Sequence, residues 1–299
     1  MWVGAAFISA FLLGMYDVAK KRSLSSNAVI PVLLLNTLFA TLLFLPVILD
    51  AELGMNLFDG VLSSERGDVG DHLLVALKSF ITLSSWLCGY YAIKHLPLTI
   101  VGPVNATRPV VVLVGAMLLF GERLNLWQWG GVLLTILSLY LLSRAGRKED
   151  ISFRNSRHVW ALFAAMLLGA VSGLYDKYII SSEGLMPSFV QSWFSVYQLL
   201  MMSVIVAIMW LPRRSVEHFH WSWAIPLISI FVSCADMCYY NALDDADSMI
   251  AVVSMIRRSS VVVTFACGAL LFGERNLKSK ALDLALILVG MVLLAIGSV

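Results

Sequence analysis

Apolar runs of about twenty residues alternate with short polar loops along the whole chain, and a helix of that length crosses a hydrocarbon core of about 30 Å. Ten such runs predict ten transmembrane helices, over residues 2–19, 28–48, 72–93, 98–120, 126–142, 159–180, 187–211, 223–243, 248–272 and 281–299. The fifth and sixth runs are separated by a polar linker, 144–158, that carries Arg144, Arg147, Lys148, Arg154 and Arg157. It divides the chain into a first five-helix half, 1–143, and a second, 159–299. Five is odd, so two copies of one five-helix unit joined in series enter the bilayer in opposite orientations.

The halves do read as copies. A shift of 150 residues lays Tyr90 on Tyr240, Ala92 on Ala242, Ile100 on Ile250 and Arg108 on Arg258, and a shift of 152 lays Gly121-Glu122-Arg123 on Gly273-Glu274-Arg275. The first spans of the halves correspond through Gly14, Tyr16 and Asp17 with Gly173, Tyr175 and Asp176. The pattern thus predicts an all-α membrane protein of ten transmembrane helices arranged as two inverted five-helix repeats.

Composition agrees with that class. Of 299 residues 60% are hydrophobic and the mean hydropathy is +0.85, beyond the roughly half-apolar composition of soluble domains. The net charge of +2 is no basic footprint, so no nucleic acid is expected. Cys88, Cys234, Cys238 and Cys267 fall inside apolar runs without a companion histidine set, so no metal is expected and they read as packing residues. Trp127, Trp129, Trp221 and Trp223 read as membrane-interface anchors. No phosphate-gripping glycine loop ending in Lys-Ser or Lys-Thr is present, nor a nucleophile elbow or paired-His zinc helix. These observations give no support to an enzyme or to a bound cofactor. The first apolar run passes into Tyr16-Asp17 and a basic cluster with no small-residue cleavage site, which predicts that it stays in place as a span.

Charge inside the spans is where candidate chemistry lies. Ionisable side chains at membrane depth cost a few kcal/mol and face protein interior or water. The basic ones are Lys78, Arg108, Arg257 and Arg258; the acidic ones are Asp17 and Asp176 near span ends and Asp236 deeper. Three arginines against one aspartate near the midplane predict a pocket for an anion, and the guanidinium fork suits phosphate or carboxylate. Helix neighbours point about 100° apart, so Arg257 and Arg258 cannot both face one point. One is expected to latch onto Asp236 or Asp17, and Arg258 with Arg108 is the favoured ligand pair. The unmatched Arg257, which aligns with Thr107, is the first place to look for selectivity. Tyr90, Tyr240 and Asn241 are further candidate ligand contacts, with interface anchoring as the competing role for the tyrosines. Asp236 and Asp17 are candidate proton carriers. Asn36 and Asn105 read as helix-to-helix hydrogen-bonding groups, and Glu122 and Glu274 as capping or loop residues.

Basic residues stay on the cytoplasmic side of a membrane. The loops after spans one, three, five, seven and nine hold Lys20, Lys21, Arg22, Lys94, Arg144, Arg147, Lys148, Arg154, Arg157, Arg213, Arg214, Arg275, Lys278 and Lys280, fourteen in all, against Arg66, Arg123 and Lys177 opposite. The count places the linker in the cytoplasm and both termini outside.

Two five-span halves, each with Gly-Glu-Arg after its fourth span, resemble the drug/metabolite transporter superfamily and its ten-span EamA-type members. The marks are Leu119-Phe120-Gly121-Glu122-Arg123-Leu124, Leu271-Phe272-Gly273-Glu274-Arg275 and Tyr90-Tyr91-Ala92. That resemblance implies a basket of ten helices, alternating access and a central cavity lined mainly by spans one, three, four, six, eight and nine. The family usually keeps both termini in the cytoplasm and a basic loop after the second span, whereas this chain has an acidic one. It usually carries a proline in spans four and nine; Pro109 meets this and Ser259 does not, which predicts a kink in one repeat only. A weaker similarity links Arg108, Arg257 and Arg258 to the triose-phosphate translocator branch, where such residues hold a phosphate.

The function expected is a secondary active transporter of a small organic anion, a phosphorylated or carboxylated metabolite, working by alternating access. An exporter of amino acids or other zwitterionic metabolites is the chief alternative, with Asp236 on the ammonium. A flippase of a lipid-linked intermediate is the third. The partners expected are the anionic metabolite and the lipid bilayer, the protein being a monomer or homodimer in a cell membrane, taken as a bacterial inner membrane.

Overall fold

The computed structural model describes residues 2–25, 27–55, 57–58, 62–108, 110–111, 125–147, 154–213, 219–244, 256–274 and 277–297. Ten α-helices with described bounds follow one another: α1 Trp2–Leu24, α2 Val29–Leu53, α3 Val69–His95, α4 Leu98–Ala106, α5 Leu126–Arg147, α6 Arg157–Lys177, α7 Pro187–Ile205, α8 Ala224–Asp244, α9 Ser260–Leu271 and α10 Leu277–Ile296. The described residues contain no β-strand. Five helical stretches are long and apolar enough to cross a membrane, Val3–Leu24, Val29–Leu53, Val69–His95, Arg157–Ile180 and Pro187–Trp210, and the shorter Leu126–Leu142 and Ala224–Tyr239 are apolar too. α6 and α7 each end in a π-helical turn, Tyr178–Ser182 and Val206–Trp210.

The helix packing has an internal two-fold character. α1 packs on α8, α3 on α6, α2 on α7, α4 on α9 and α5 on α10, and exchanging the first five helices for the last five returns the same set. Hydrogen bonds repeat at duplicated positions. Ser79 of α3 donates to the Phe194 carbonyl of α7 at 3.4 Å, and Ser229 of α8, 150 residues on, donates to the Asn36 carbonyl of α2 at 2.8 Å. Ser229 also reaches the Asn36 side-chain oxygen at 2.8 Å, the helix-to-helix role expected of that asparagine. Ser9 to the Ala235 carbonyl and Ser85 to the Ala165 carbonyl, both 2.7 Å, tie α1 to α8 and α3 to α6. In hydrocarbon such bonds satisfy groups that water cannot reach.

Both arginine-bearing helices are interrupted beside their arginines. α4 stops at Ala106, where the Thr107 hydroxyl donates to the Val104 carbonyl at 2.7 Å. Residues 256–258 are helical, Ser259 is a turn, and its hydroxyl donates to the Ile256 carbonyl at 2.6 Å before α9 begins. The sequence predicts a kink in one repeat only, and the structure corrects this. A hydroxyl bonded three residues back bends a helix without any proline, and Thr107 and Ser259 are 152 residues apart, the shift that aligns the two Gly-Glu-Arg triplets.

The bundle end carrying the linker is tied across its loops. Glu274 caps α4, accepting from the Leu98 and Thr99 amides at 2.6 and 2.8 Å and from the Thr99 hydroxyl at 2.5 Å, and the buried Lys280 ammonium donates to that hydroxyl at 2.9 Å. Gly273, at φ 59°, takes the left-handed turn that brings the carboxylate back; only glycine does so without strain. Lys21 of α1 holds the other side of the same corner through the Ile93 and Leu96 carbonyls at 2.8 and 2.6 Å. Glu274→Gln removes the charge from this cap and one of its acceptors, a loss of about 1–2 kcal/mol. The expected result is a lower thermal midpoint in detergent with anion-dependent stabilisation retained, read by thermal unfolding with and without ligand. Gly121-Glu122-Arg123, Pro109 and Arg275 lie outside the described residues.

Candidate functional site

Apart from Lys21 and Lys280 at the capped corner, five basic side chains of the spans lie among the described residues, and three of them meet a carboxylate. Lys20 meets Asp17 at 2.7 Å, Lys78 meets Asp176 at 3.0 Å, and Arg257 meets Asp236. Lys20 turns inward from α1, its ammonium 4.0 Å from the Tyr16 ring centroid and 5.3 Å from that of Tyr90. Lys78 lies 4.9 Å from the Phe194 ring, and the Arg257 guanidinium lies 4.1 Å over Tyr239. Each cation therefore has a carboxylate and an aromatic face, which together offset its removal from water.

Arg108 and Arg258 remain. Among the described residues neither has a carboxylate within ion-pair distance. The Arg108 Nε is buried with no hydrogen-bond partner, and Arg258 lies within electrostatic reach of both Arg108 and Arg257. Like charges within reach of each other in the bundle repel unless an anion or water stands between them. The two guanidiniums come from the two halves: one from beside the end of α4, the other from beside the start of α9.

The other sequence candidates fall around this pair. Arg257 and Asp236 form the internal latch, 16% and 17% exposed at their side chains, so the aspartate holds the arginine. Lys78 and Tyr90 are twelve residues apart on α3, about 18 Å along the axis, and so stand at different depths. Lys78 belongs to the α3–α6 contact through Asp176, and Tyr90 to the buried cluster around Lys20. Asp17 lies between groups: bonded to Lys20, 3.4 Å from the Thr264 hydroxyl of α9, and within electrostatic reach of Arg108. Tyr240 and Asn241 lie on α8, with side chains outside the described residues. No group of three metal-ligating side chains occurs among the described residues, and Cys88, Cys234, Cys238 and Cys267 are free thiols.

Lys20 is one ionisable group that a span count misses; Lys280 and Asp283, both buried in α10, are two more. The signal for Lys20 was present: Asp17 and Lys20 are three residues apart, the spacing at which opposite charges meet on one helix face.

Comparison with known proteins gives the family. Residues 1–144 match the EamA-like transporter family. Over 82 residues, 27% of this chain and 70% of the relative, the chain is 33% identical to the probable 4-amino-4-deoxy-L-arabinose-phosphoundecaprenol flippase subunit ArnE of Pectobacterium atrosepticum. A solved crystal structure 17% identical in sequence superposes on 98% of this chain and 96% of its own with a TM-score of 0.63, a likeness of fold.

Proposed function

Because the chain belongs to the EamA-like transporter family of the drug/metabolite transporter superfamily, and is a multi-pass membrane transporter rather than an enzyme, we propose that its cargo is a small organic anion bound between Arg108 and Arg258. The observation that carries this reading is the charge balance of the interior. Outside the Lys21–Lys280 corner, three of the five described span cations have their own carboxylates, and the two that do not, one from each five-helix half, lie within electrostatic reach of each other. A bound phosphate or carboxylate supplies the missing negative charge, and its release restores the repulsion. Binding is thereby coupled to the relative placement of the halves, which are 1–143 and 159–299 about the 144–158 linker, and alternating access follows as the two exposures of one pocket. Asp17 is the proton carrier best placed for coupling, because a proton on its carboxylate would release Lys20 and alter the field at Arg108.

A second reading is favoured by the ArnE-like relative, whose printed activity concerns a phosphate-linked polyprenol. A lipid-linked phosphate presents the same anion to the same guanidiniums with its tail in the bilayer. The amino-acid exporter has less support, because Asp236, its ammonium partner, is taken by Arg257.

Thermal unfolding in detergent separates the three. Glycerol 3-phosphate at constant ionic strength is expected to raise the midpoint, with glutamine and other zwitterions producing no shift. A rise with decaprenyl phosphate alone transfers the site to the lipid reading, and a rise with zwitterions alone removes the anion proposal. By loop charge the termini lie outside a bacterial inner membrane. Single cysteines placed at either terminus of a cysteine-free variant are then expected to react with an impermeant maleimide in intact cells; protection reverses the orientation.

A further inference from the structure

Every glycine in a helix interior forgoes about 0.5–1 kcal/mol relative to alanine, and Gly169, in the middle of α6, stands where Arg108 comes across from beside α4. A Cβ built on Gly169 would lie 2.5 Å from the guanidinium carbon of Arg108 and 2.7 and 2.8 Å from its two terminal nitrogens. The three distances fix an orientation. A point 2.5 Å directly above the carbon of a planar group with C–N bonds of about 1.33 Å lies about 2.8 Å from each nitrogen, whereas a point beyond the fork would lie nearer the nitrogens than the carbon. The flat of the guanidinium therefore rests on Gly169, and its N–H edges point sideways.

In the first half the matching position, 159 residues earlier, is Ala10, which carries the side chain that Gly169 lacks. α6 thus meets the arginine of α4 at Gly169, on the stripe where Ala165 and Ser172 pack against α3.

We infer that Gly169 is a positioning residue for anion recognition: by lacking a side chain it seats the Arg108 guanidinium flat on α6 and so aims the donor edge of that group at the ligand. This rests on the reading that Arg108 binds the cargo. Ordinary van der Waals contact needs 3.4–4 Å, so a methyl group at 169 drives the guanidinium about 1 Å or more off its seat, while the flexible arginine stem lets the helices stay in place. The cargo class is sharpened too. A seated, planar donor edge selects ligands with two coplanar acceptor oxygens, such as phosphate or carboxylate, over spherical anions of equal charge.

The test is a double-mutant cycle on purified full-length protein, with glycerol 3-phosphate binding read by titration and chloride as the spherical control. Gly169→Ala is expected to weaken glycerol 3-phosphate binding about tenfold or more, with the thermal midpoint of the ligand-free protein within about 2 °C of the parent. Arg108→Lys keeps the charge and removes the plane, so in that background Gly169→Ala is expected to change binding less than about twofold. Parent-like affinity in Gly169→Ala overturns the inference, and so does an equal loss in both backgrounds, which marks a general packing role. If Arg108→Lys and Arg108→Gln both bind like the parent, the site reading itself fails, and the inference with it.

Discussion

Replacing Arg258 by glutamine is expected to abolish anion-dependent stabilisation, and Arg108→Gln is expected to do the same. Both guanidiniums lack a carboxylate partner among the described residues, so in the loaded protein their charge-assisted bonds go to the cargo. Truncating one partner of a buried hydrogen-bonded charge pair costs about 2–5 kcal/mol, and about 2 kcal/mol already weakens Kd some 30-fold. At a ligand concentration of about 100 Kd the parent gains roughly 2.7 kcal/mol, and a 30-fold weaker variant gains below about 1 kcal/mol. The empty proteins behave oppositely. Removing one of two mutually repelling cations leaves no carboxylate orphaned, so the ligand-free midpoint of either variant is expected to equal or exceed that of the parent. A retained ligand shift in both single variants excludes the pair as the binding site.

Asp236→Asn is expected to produce the largest loss of stability without ligand. Its carboxylate and Arg257 are both mostly out of solvent, and breaking a buried pair by removing one partner leaves an uncompensated charge, worth about 3–5 kcal/mol. The stack of Arg257 on Tyr239 holds the cation in place after its partner is gone, so the penalty cannot be relieved by withdrawal. The double variant Asp236→Asn/Arg257→Gln is expected to recover most of the loss, since no orphan charge is left. Thermal or urea unfolding of the four proteins reads the coupling, and simple additivity would refute the latch. Anion binding persists in Asp236→Asn under this account, whereas the amino-acid reading requires zwitterion binding to vanish.

Much of the fold was legible because hydrophobic length is a coarse and strong signal. The ten runs correspond one for one with α1–α10, and even the shift of 150 residues that pairs Arg108 with Arg258 also pairs Ser79 with Ser229, whose hydroxyls make equivalent interhelical bonds. The partnership of Arg257 with Asp236 was legible as one of two latches, since neighbouring arginines on a helix must diverge. What stayed hidden was of two kinds. Lys20 reads as a loop residue because three basic residues in a row signal a span end, and it is the aromatic cage of Tyr16 and Tyr90 that draws it inside. Gly169 carries no sequence signal at all, since a glycine in a transmembrane helix is ordinary and its meaning depends on which side chain crosses it. The second helix break was hidden for a related reason. Proline announces itself, while Ser259 bends its helix only through a hydroxyl bond that a sequence does not display.

The central claim is that the two unpartnered guanidiniums carry an anion across the membrane, and uptake of radiolabelled glycerol 3-phosphate into proteoliposomes preloaded with the unlabelled compound tests it most directly. Saturable exchange is expected of the parent protein, with background counts for Arg108→Gln/Arg258→Gln at equal reconstitution. Exchange by the double variant at the parental rate would contradict it.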